Sequence, residues 1–193
     1  MIPIVGVAVA VVGVVTGLAW KSESVRSKDR VYFLQINKKQ LWIGIDRFLI
    51  FVRPIGTKWF MLLILALVLI WRIEMVVSLT IAALITAAVE RGIKVIVKRP
   101  RPYLENGSTI VRQNPLPRDH SFPSGDATRI WFIFAAILFG IHPSPIWSVL
   151  LGLCAITVSF GRIRLGVHYP LDVWAGTGLG FGLGLAWSGL VLG

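Results

Sequence analysis

Residues 2–20 read IPIVGVAVAVVGVVTGLAW, nineteen residues without a charge. A helix needs roughly 20 mostly apolar residues to cross a bilayer, so this stretch predicts a membrane span. A cleaved signal peptide starts with positive charge and ends at a small-residue cleavage site. Here the start is uncharged and the cations follow, from Lys21 onward. The stretch therefore reads as an uncleaved span. Working outward, five more apolar runs occupy 57–73 (TKWFMLLILALVLIWRI), 75–97, 127–143, 146–161 and 171–192. The run at 75–97 is interrupted near its far end by Glu90, Arg91 and Lys94.

Composition agrees with this reading. Of 193 residues, 55% are hydrophobic and 15% charged, and mean hydropathy is +0.76. Intrinsic disorder needs the reverse balance. An ordinary soluble domain carries nearer a quarter charged residues. The expected fold is an all-α integral membrane bundle of six spans. Length suggests one domain over 1–193, its motif-bearing core at about 57–193 and its N-terminal part at 1–56. Cys154 is the sole cysteine. It can form no internal disulfide and build no zinc site, and reads as a small packing residue.

Segment 31–56 differs from the spans. Val31, Phe33, Leu34, Leu41, Ile43, Phe48, Leu49 and Val52 are mixed with Lys38, Lys39, Asp46, Arg47 and Arg53. This mixture predicts an amphipathic interfacial helix after the first span. The alternative, a seventh span, would bury those charges mid-membrane. In the last run, Gly176, Gly180 and Gly184 are spaced four apart, and so are Gly178 and Gly182. Small residues at this spacing let helix backbones approach closely in lipid. Packing inside the bundle is the plainer use of them, and a dimer interface the alternative.

Six spans put both termini on one face. The opposite face and its helix ends then hold all but one of the 20 Lys and Arg residues, Arg72 being the exception. Net charge is +11. A basic but apolar chain points to anionic lipid or a phosphate substrate rather than to nucleic acid. A charge inside hydrocarbon costs about 2.5–3.5 kcal/mol, so Lys94, Arg129, Arg162 and Arg164 belong at helix ends or on a wet cavity. The positive-inside rule puts the basic face in the cytoplasm, a rule to discount where the cations serve chemistry.

Three blocks meet at that face. The first is KVIVKRPRP, 94–102, in which Lys94 is followed after six residues by Arg101-Pro102. The second is SFPSGDA, 121–127, where a long Pro-rich loop over 100–123 enters the fourth run. The third is GRIRLGVHYPLD, 161–172, in which Arg162 is followed after five residues by His168, and His168 after three more by Asp172. All three begin or end apolar runs at the same membrane depth.

In order and spacing these blocks resemble the type 2 phosphatidic acid phosphatase superfamily of membrane lipid phosphatases and vanadium haloperoxidases. That pattern is Lys, six residues, Arg-Pro; then Pro-Ser-Gly-His; then Ser-Arg, five residues, His, three residues, Asp. The resemblance covers residues 94–172 and implies a metal-independent lipid phosphatase without a cofactor. It implies that Lys94, Arg101 and Arg162 hold the phosphate, together with Ser124 and Gly125. Arg offers a planar fork of donors and Lys a compact charge. A serine-capped helix start is itself a phosphate seat, although capping alone would also explain Ser124. It implies that His168 attacks phosphorus to give a phosphohistidine and that Asp172 orients its ring. For Lys98, Arg99, Arg112 and Arg118 the preferred reading is contact with lipid headgroups. His120, Asp119 and Asp126 could be weighed as metal ligands, but the site already has protein cations for the phosphate.

The chain departs from the pattern twice. Gly161 stands where the family has Ser, removing one hydroxyl. Asp126 stands where the family has the His that protonates the leaving oxygen. Asp normally titrates near 3.9 and makes a poor acid at neutral pH. Three readings follow. In one the substrate is a diphosphate, whose leaving group is a stable anion. In another His120 or protonated Asp126 serves as the acid. Or the chain is a catalytically weak or inactive lipid-phosphate-binding protein. The first is preferred. Prenyl diphosphates such as undecaprenyl diphosphate lead the candidates, with phosphatidate, phosphatidylglycerol phosphate and lipid A phosphates open. The expected location is the cell membrane. Charge argues for a cytoplasmic site and many bacterial members of the family for the outer side; cysteine labelling at Ser108 in intact cells separates the two.

Overall fold

A chain surrounded by lipid must satisfy its backbone polar groups within itself, and the apolar runs do so as helices. The computed structural model describes residues 1–39, 43–106 and 110–192, so Leu41 and Ser108 lie outside the described residues. The helices are α1 (Ile2–Gly17), α2 (Glu23–Lys38), α3 (Ile43–Val52), α4 (Lys58–Trp71), α5 (Ile73–Val97), α6 (Pro102–Asn106), α7 (Gly125–Gly140), α8 (Pro145–Arg164) and α9 (Pro170–Leu192). Single 3-10 turns follow α1 and α3. No strand occurs among the described residues.

Among the described residues, four stretches are long and apolar enough to cross a membrane: Ile2–Lys21, Ile73–Asn106, Pro145–Arg164 and Pro170–Leu192. A fifth results if Gly44–Gly56 and Lys58–Ile70, bent by 55°, act as one span. Helix α7 has 16 residues, fewer than the roughly 20 of a full span. It covers 125–140 instead of the anticipated 127–143. Ser124 opens it, and it stops before His142, a left-handed residue (φ 55°) preceding Pro143. A residue before proline is excluded from the α conformation, which fixes that end. Large apolar side chains such as Val12, Ile81, Leu84, Trp147 and Leu190 point outward, as lipid-facing positions require.

Helix α9 is the central post. A Cβ added at Gly178 would lie 2.6 Å from Gly13 Cα on α1. One added at Gly184 would lie 2.6 Å from Phe132 O on α7. Thus Gly178 and Gly182 seat α1, while Gly176, Gly180 and Gly184 seat α7. The glycine pattern is spent on packing inside the chain. Met61, Val68, Met75, Leu79, Phe132 and Trp187 fill the space where α4, α5, α7 and α9 meet.

The expected single interfacial helix over 31–56 is instead α2 and α3 followed by a 3-10 turn. Helix α2 starts earlier, at Glu23, and buries Asp29, Phe33 and Asn37, spaced four apart on one face. Asn37 donates to the Val111 and Arg164 carbonyls, both at 2.8 Å. Arg164 accounts for the end of α2. It is buried, donates to the carbonyls of Ile36, Asn37 and Lys39, and holds Asp46 of α3 through two contacts at 2.7 and 2.8 Å. A guanidinium on the last carbonyls of a helix satisfies groups the helix itself leaves unpaired.

Candidate active site

The three blocks converge on one cavity of about 180 Å³. Lys94, in the last turn of α5, Arg101, just before α6, and Arg162, near the end of α8, line it with His168 from the loop before α9. Gly125 lines it at the start of α7, where an added Cβ would lie 2.5 Å from Glu90 Oε1. Ser124 is buried directly before Gly125, its backbone amide bonded to the Asp172 carbonyl at 2.9 Å. Two buried donors, Ser124 Oγ and Arg162 Nε, have no hydrogen-bond partner among the described residues. Orphaned buried polar atoms are rare and call for a ligand or water.

Arg129 is a fourth cation on the cavity, in keeping with the expectation of a helix end or a wet cavity for it. Three carboxylates answer the four cations. Asp126 lies 2.5 Å from both Arg162 Nη1 and Arg129 Nη2. Asp119 lies 2.6 Å from Arg101 Nη2 and 3.0 Å from Lys94 Nζ. Glu90 lies 3.3 Å from Arg129 and 3.5 Å from Lys94. Burial pushes the Asp119 carboxyl up, but Lys94 and Arg101 outweigh it and hold the group well below the usual carboxylate range. Sequence weighed Asp119 and Asp126 as metal ligands; both are instead engaged by cations. Among the described residues, no group of three or more His, Cys, Asp and Glu side chains is arranged to hold a metal ion. His120 is exposed and contributes its backbone carbonyl, which accepts from Lys94 at 2.9 Å.

The His168 ring spans two environments. Arg101 Nη1 approaches Nε2 at 3.1 Å on the cavity side. On the other side Asp172 Oδ2 is 3.8 Å from Nδ1, too far for a direct hydrogen bond. Ser121 closes that gap: its hydroxyl lies 3.4 Å from Nδ1 and donates to Asp172 Oδ2 at 2.6 Å. Asp172 also accepts from the Tyr169 amide at 2.8 Å and from Arg99 Nη1 at 2.8 Å. Burial, aided by Arg101, pushes the His168 imidazole down from its usual value to about 3. The ring is therefore neutral at physiological pH, with the proton on Nδ1 when Arg101 donates to Nε2.

Sequence reading named Lys94, Arg101, Ser124, Gly125, Asp126, Arg162, His168 and Asp172, and the structure brings all of them together. It gave no role to Glu90 or Ser121, weighed Asp119 only as a metal ligand, and placed Arg129 at a helix end or on a wet cavity without a role in the site. Ser121 and Asp119 are adjacent to the second block, and Glu90 lies one helical turn before Lys94, so spacing could have nominated them. Arg99 is a correction. It was read as facing headgroups, but only 2% of it is exposed. Lys98, Arg112 and Arg118 are exposed. A side chain at Gly161 would meet Leu49 of α3.

A helical membrane bundle with cations gathered around a neutral, buried histidine defines a class of phosphate-handling membrane proteins. The PAP2 superfamily model matches residues 71–192, and the chain belongs to that family. It is similar to an undecaprenyl-diphosphatase of Sulfolobus acidocaldarius, with 30% identity over 151 residues, 77% of this chain and 71% of that protein. Among solved structures it resembles LpxE of Aquifex aeolicus, at 27% identity with a TM-score of 0.71, covering 81% of this chain and 92% of that one. It also shares the fold of a PAP2-type phosphatidylglycerolphosphate phosphatase from Bacillus subtilis, at 18% identity with a TM-score of 0.81, covering 96% and 95% of the two chains. The chain is thus a multi-pass membrane enzyme of the lipid phosphatase class.

Proposed function

We propose that this protein hydrolyses a prenyl diphosphate, such as undecaprenyl diphosphate, through a phosphohistidine on His168. The observation that carries the choice of substrate is the double pairing of Asp126 with Arg162 and Arg129, each at 2.5 Å. A carboxylate between two guanidiniums is held as the anion and has no proton to give. An alcohol leaving group needs that proton; a phosphate monoester leaves as an anion without it.

The terminal phosphoryl group would displace the Asp119 carboxylate from Lys94 and Arg101 and take the orphaned donors of Arg162 and Ser124. Charge on its oxygens is balanced there as it develops. With Arg101 turned onto the phosphate, Nε2 of His168 attacks the terminal phosphorus. The bond from phosphorus to the bridging oxygen breaks, and the prenyl monophosphate departs with that electron pair. The ring now carries positive charge, stabilised through Ser121 by Asp172. Water then attacks phosphorus, the N–P bond breaks, and inorganic phosphate and neutral His168 are released with the water's proton passing to solvent or product.

The same reading takes α1, α4, α5, α7, α8 and α9 as six spans. Helix α1 ends beside Leu171, and α4 begins after Gly56, which abuts Asp126. These helices thus run alternately toward and away from the site. Helices α2 and α3 lie at the membrane surface, residues 1–193 form one domain, and the protein resides in the cell membrane.

The test is phosphate release in detergent, with a chelator, from a prenyl diphosphate and from phosphatidate, beside His168→Ala. Release that favours the diphosphate, survives chelation and requires His168 is the expected result. Equal or greater release from phosphatidate overturns the substrate choice. Release that survives His168→Ala overturns the mechanism. Phosphate binding without turnover of either lipid would favour the weak or inactive alternative.

A further inference from the structure

Behind Asp172 lies a second set of charges that the phosphate chemistry does not use. Arg99 spans two carboxylates, giving Nη1 to Asp172 Oδ1 at 2.8 Å and Nη2 to Asp29 Oδ2 at 2.6 Å. All three side chains are at most 3% exposed. The guanidinium is sandwiched between the Trp20 and Tyr169 rings, its carbon 4.6 and 4.3 Å from their centroids. Asp29 belongs to α2, and its other oxygen accepts from the Leu171 amide in the first turn of α9 at 3.1 Å. Burial raises the Asp29 carboxyl above its ordinary value, against the opposing pull of Arg99.

We propose that Arg99, braced by Asp29, is a positioning residue: it fixes the Asp172 carboxylate behind His168 and compensates its charge, leaving Nε2 directed at the cavity. The proposal rests on the phosphohistidine reading. A carboxylate beside an imidazole favours the protonated ring, and a protonated Nε2 cannot attack phosphorus. Arg99 draws on that same carboxylate through its other oxygen. It therefore holds Asp172 rigidly enough to orient the ring while limiting its pull on a proton. The stacked rings and Asp29 keep the guanidinium where it must lie. Helix α2 thereby becomes part of the active-site support as well as a surface helix.

The charged groups around His168 are Glu90 and Lys94 of α5, Arg101 before α6, Asp119 in the following loop, Asp126 and Arg129 of α7, Arg162 of α8 and Asp172 of α9, with the Ser121 hydroxyl beside Nδ1. Of these, only Asp172 changes its compensation when Arg99 is replaced. Turnover of a prenyl diphosphate is therefore measured from about pH 2.5 to 8, wide enough to include the wild-type limb, for wild type, Arg99→Gln, Arg99→Lys and Asp29→Asn. Arg99→Gln should move the acid limb of kcat up by about one pH unit or more, because Asp172 then acts on the ring uncompensated. Arg99→Lys should return the limb toward wild type whatever happens to the maximal rate. Asp29→Asn should not raise it, since the whole Arg99 charge then falls to Asp172. If Arg99→Gln does not fold, Arg99→Gln/Asp29→Asn removes both ends of the outer pair and should show the raised limb. An unmoved limb in the folded Gln variant, or an equal rise in Asp29→Asn, overturns the proposal. Turnover that persists in His168→Ala, run alongside, overturns the phosphohistidine reading and this proposal with it.

Discussion

The two edges of the His168 ring are built on opposite plans. Behind Nδ1 stand Ser121, Asp172, Arg99 and Asp29, all buried, each charge paired and Arg99 held between two aromatic faces. In front of Nε2 the cations are paired as well, but with partners that can yield. The Asp119 side chain is 38% exposed and that of Asp126 19%. A dry, fully paired network resists change, because removing one member strands a charge in low dielectric. A carboxylate near solvent recovers its hydration when displaced, so an incoming phosphate can take its place. The rear edge fixes geometry and the front edge exchanges ligands.

The largest test of this contrast is His168→Ala, which removes the group both edges serve. Phosphate release should fall by roughly ten-thousand-fold or more in a detergent assay. A smaller loss would mean that neither edge is organised around this ring. Next, Arg99→Ala breaks the rear network. It should lower stability by about 3–5 kcal/mol, read as a large drop in the thermal unfolding midpoint in detergent. A change within experimental scatter would mean the rear edge is not the rigid one.

Asp126→His tests the front edge. It should raise turnover of phosphatidate by roughly a hundredfold, the lower range of general acid catalysis, and that of a prenyl diphosphate by much less. Equal gains on both, or losses on both, would break the link between Asp126 and a diphosphate substrate. Asp119→Asn should be milder. Freed from competition, Lys94 and Arg101 should bind inorganic phosphate about fivefold more tightly, measured by product inhibition, a change near 1 kcal/mol. Weaker binding would make Asp119 a fixed part of the site. The smallest effect is one of pH. With His168 pushed from its usual value down to about 3, its neutral ring, the proposed nucleophile, is present above that range. Wild-type kcat should therefore stay flat from pH 7 to pH 5 and fall only toward pH 3. Folding stability follows the same sign. The unfolded histidine binds its proton near pH 6.5 and the folded one does not, so its contribution declines as pH drops below 6.5.

Much of the front edge was legible in the sequence because it lies on local blocks. The six-residue gap from Lys94 to Arg101 and the five-residue gap from Arg162 to His168 each depend on one helix end and its adjoining loop. Arg129 and Asp119 were noticed but their roles were not legible, because these depend on partners such as Gly56, Glu90 and Lys94, brought near by packing. The rear edge was less legible. Arg99 lies inside the first block, yet its neighbour Lys98 is also basic, and composition cannot tell which of the two turns inward beside Arg101. Asp29 is 143 residues from Asp172, and nothing in α2 alone distinguishes a buried acid from a solvated one.

The sequence by itself determined the solvent and the chemistry. Uncharged runs of span length demand helices in lipid, and cations spaced around one histidine demand an anion. The tertiary structure decided how each charge is compensated. Coulombic pairing depends on distance and burial, and both are properties of helices meeting in space. Helix α9, notched by glycines on two sides, brings α1 and α7 close enough for those pairings to form.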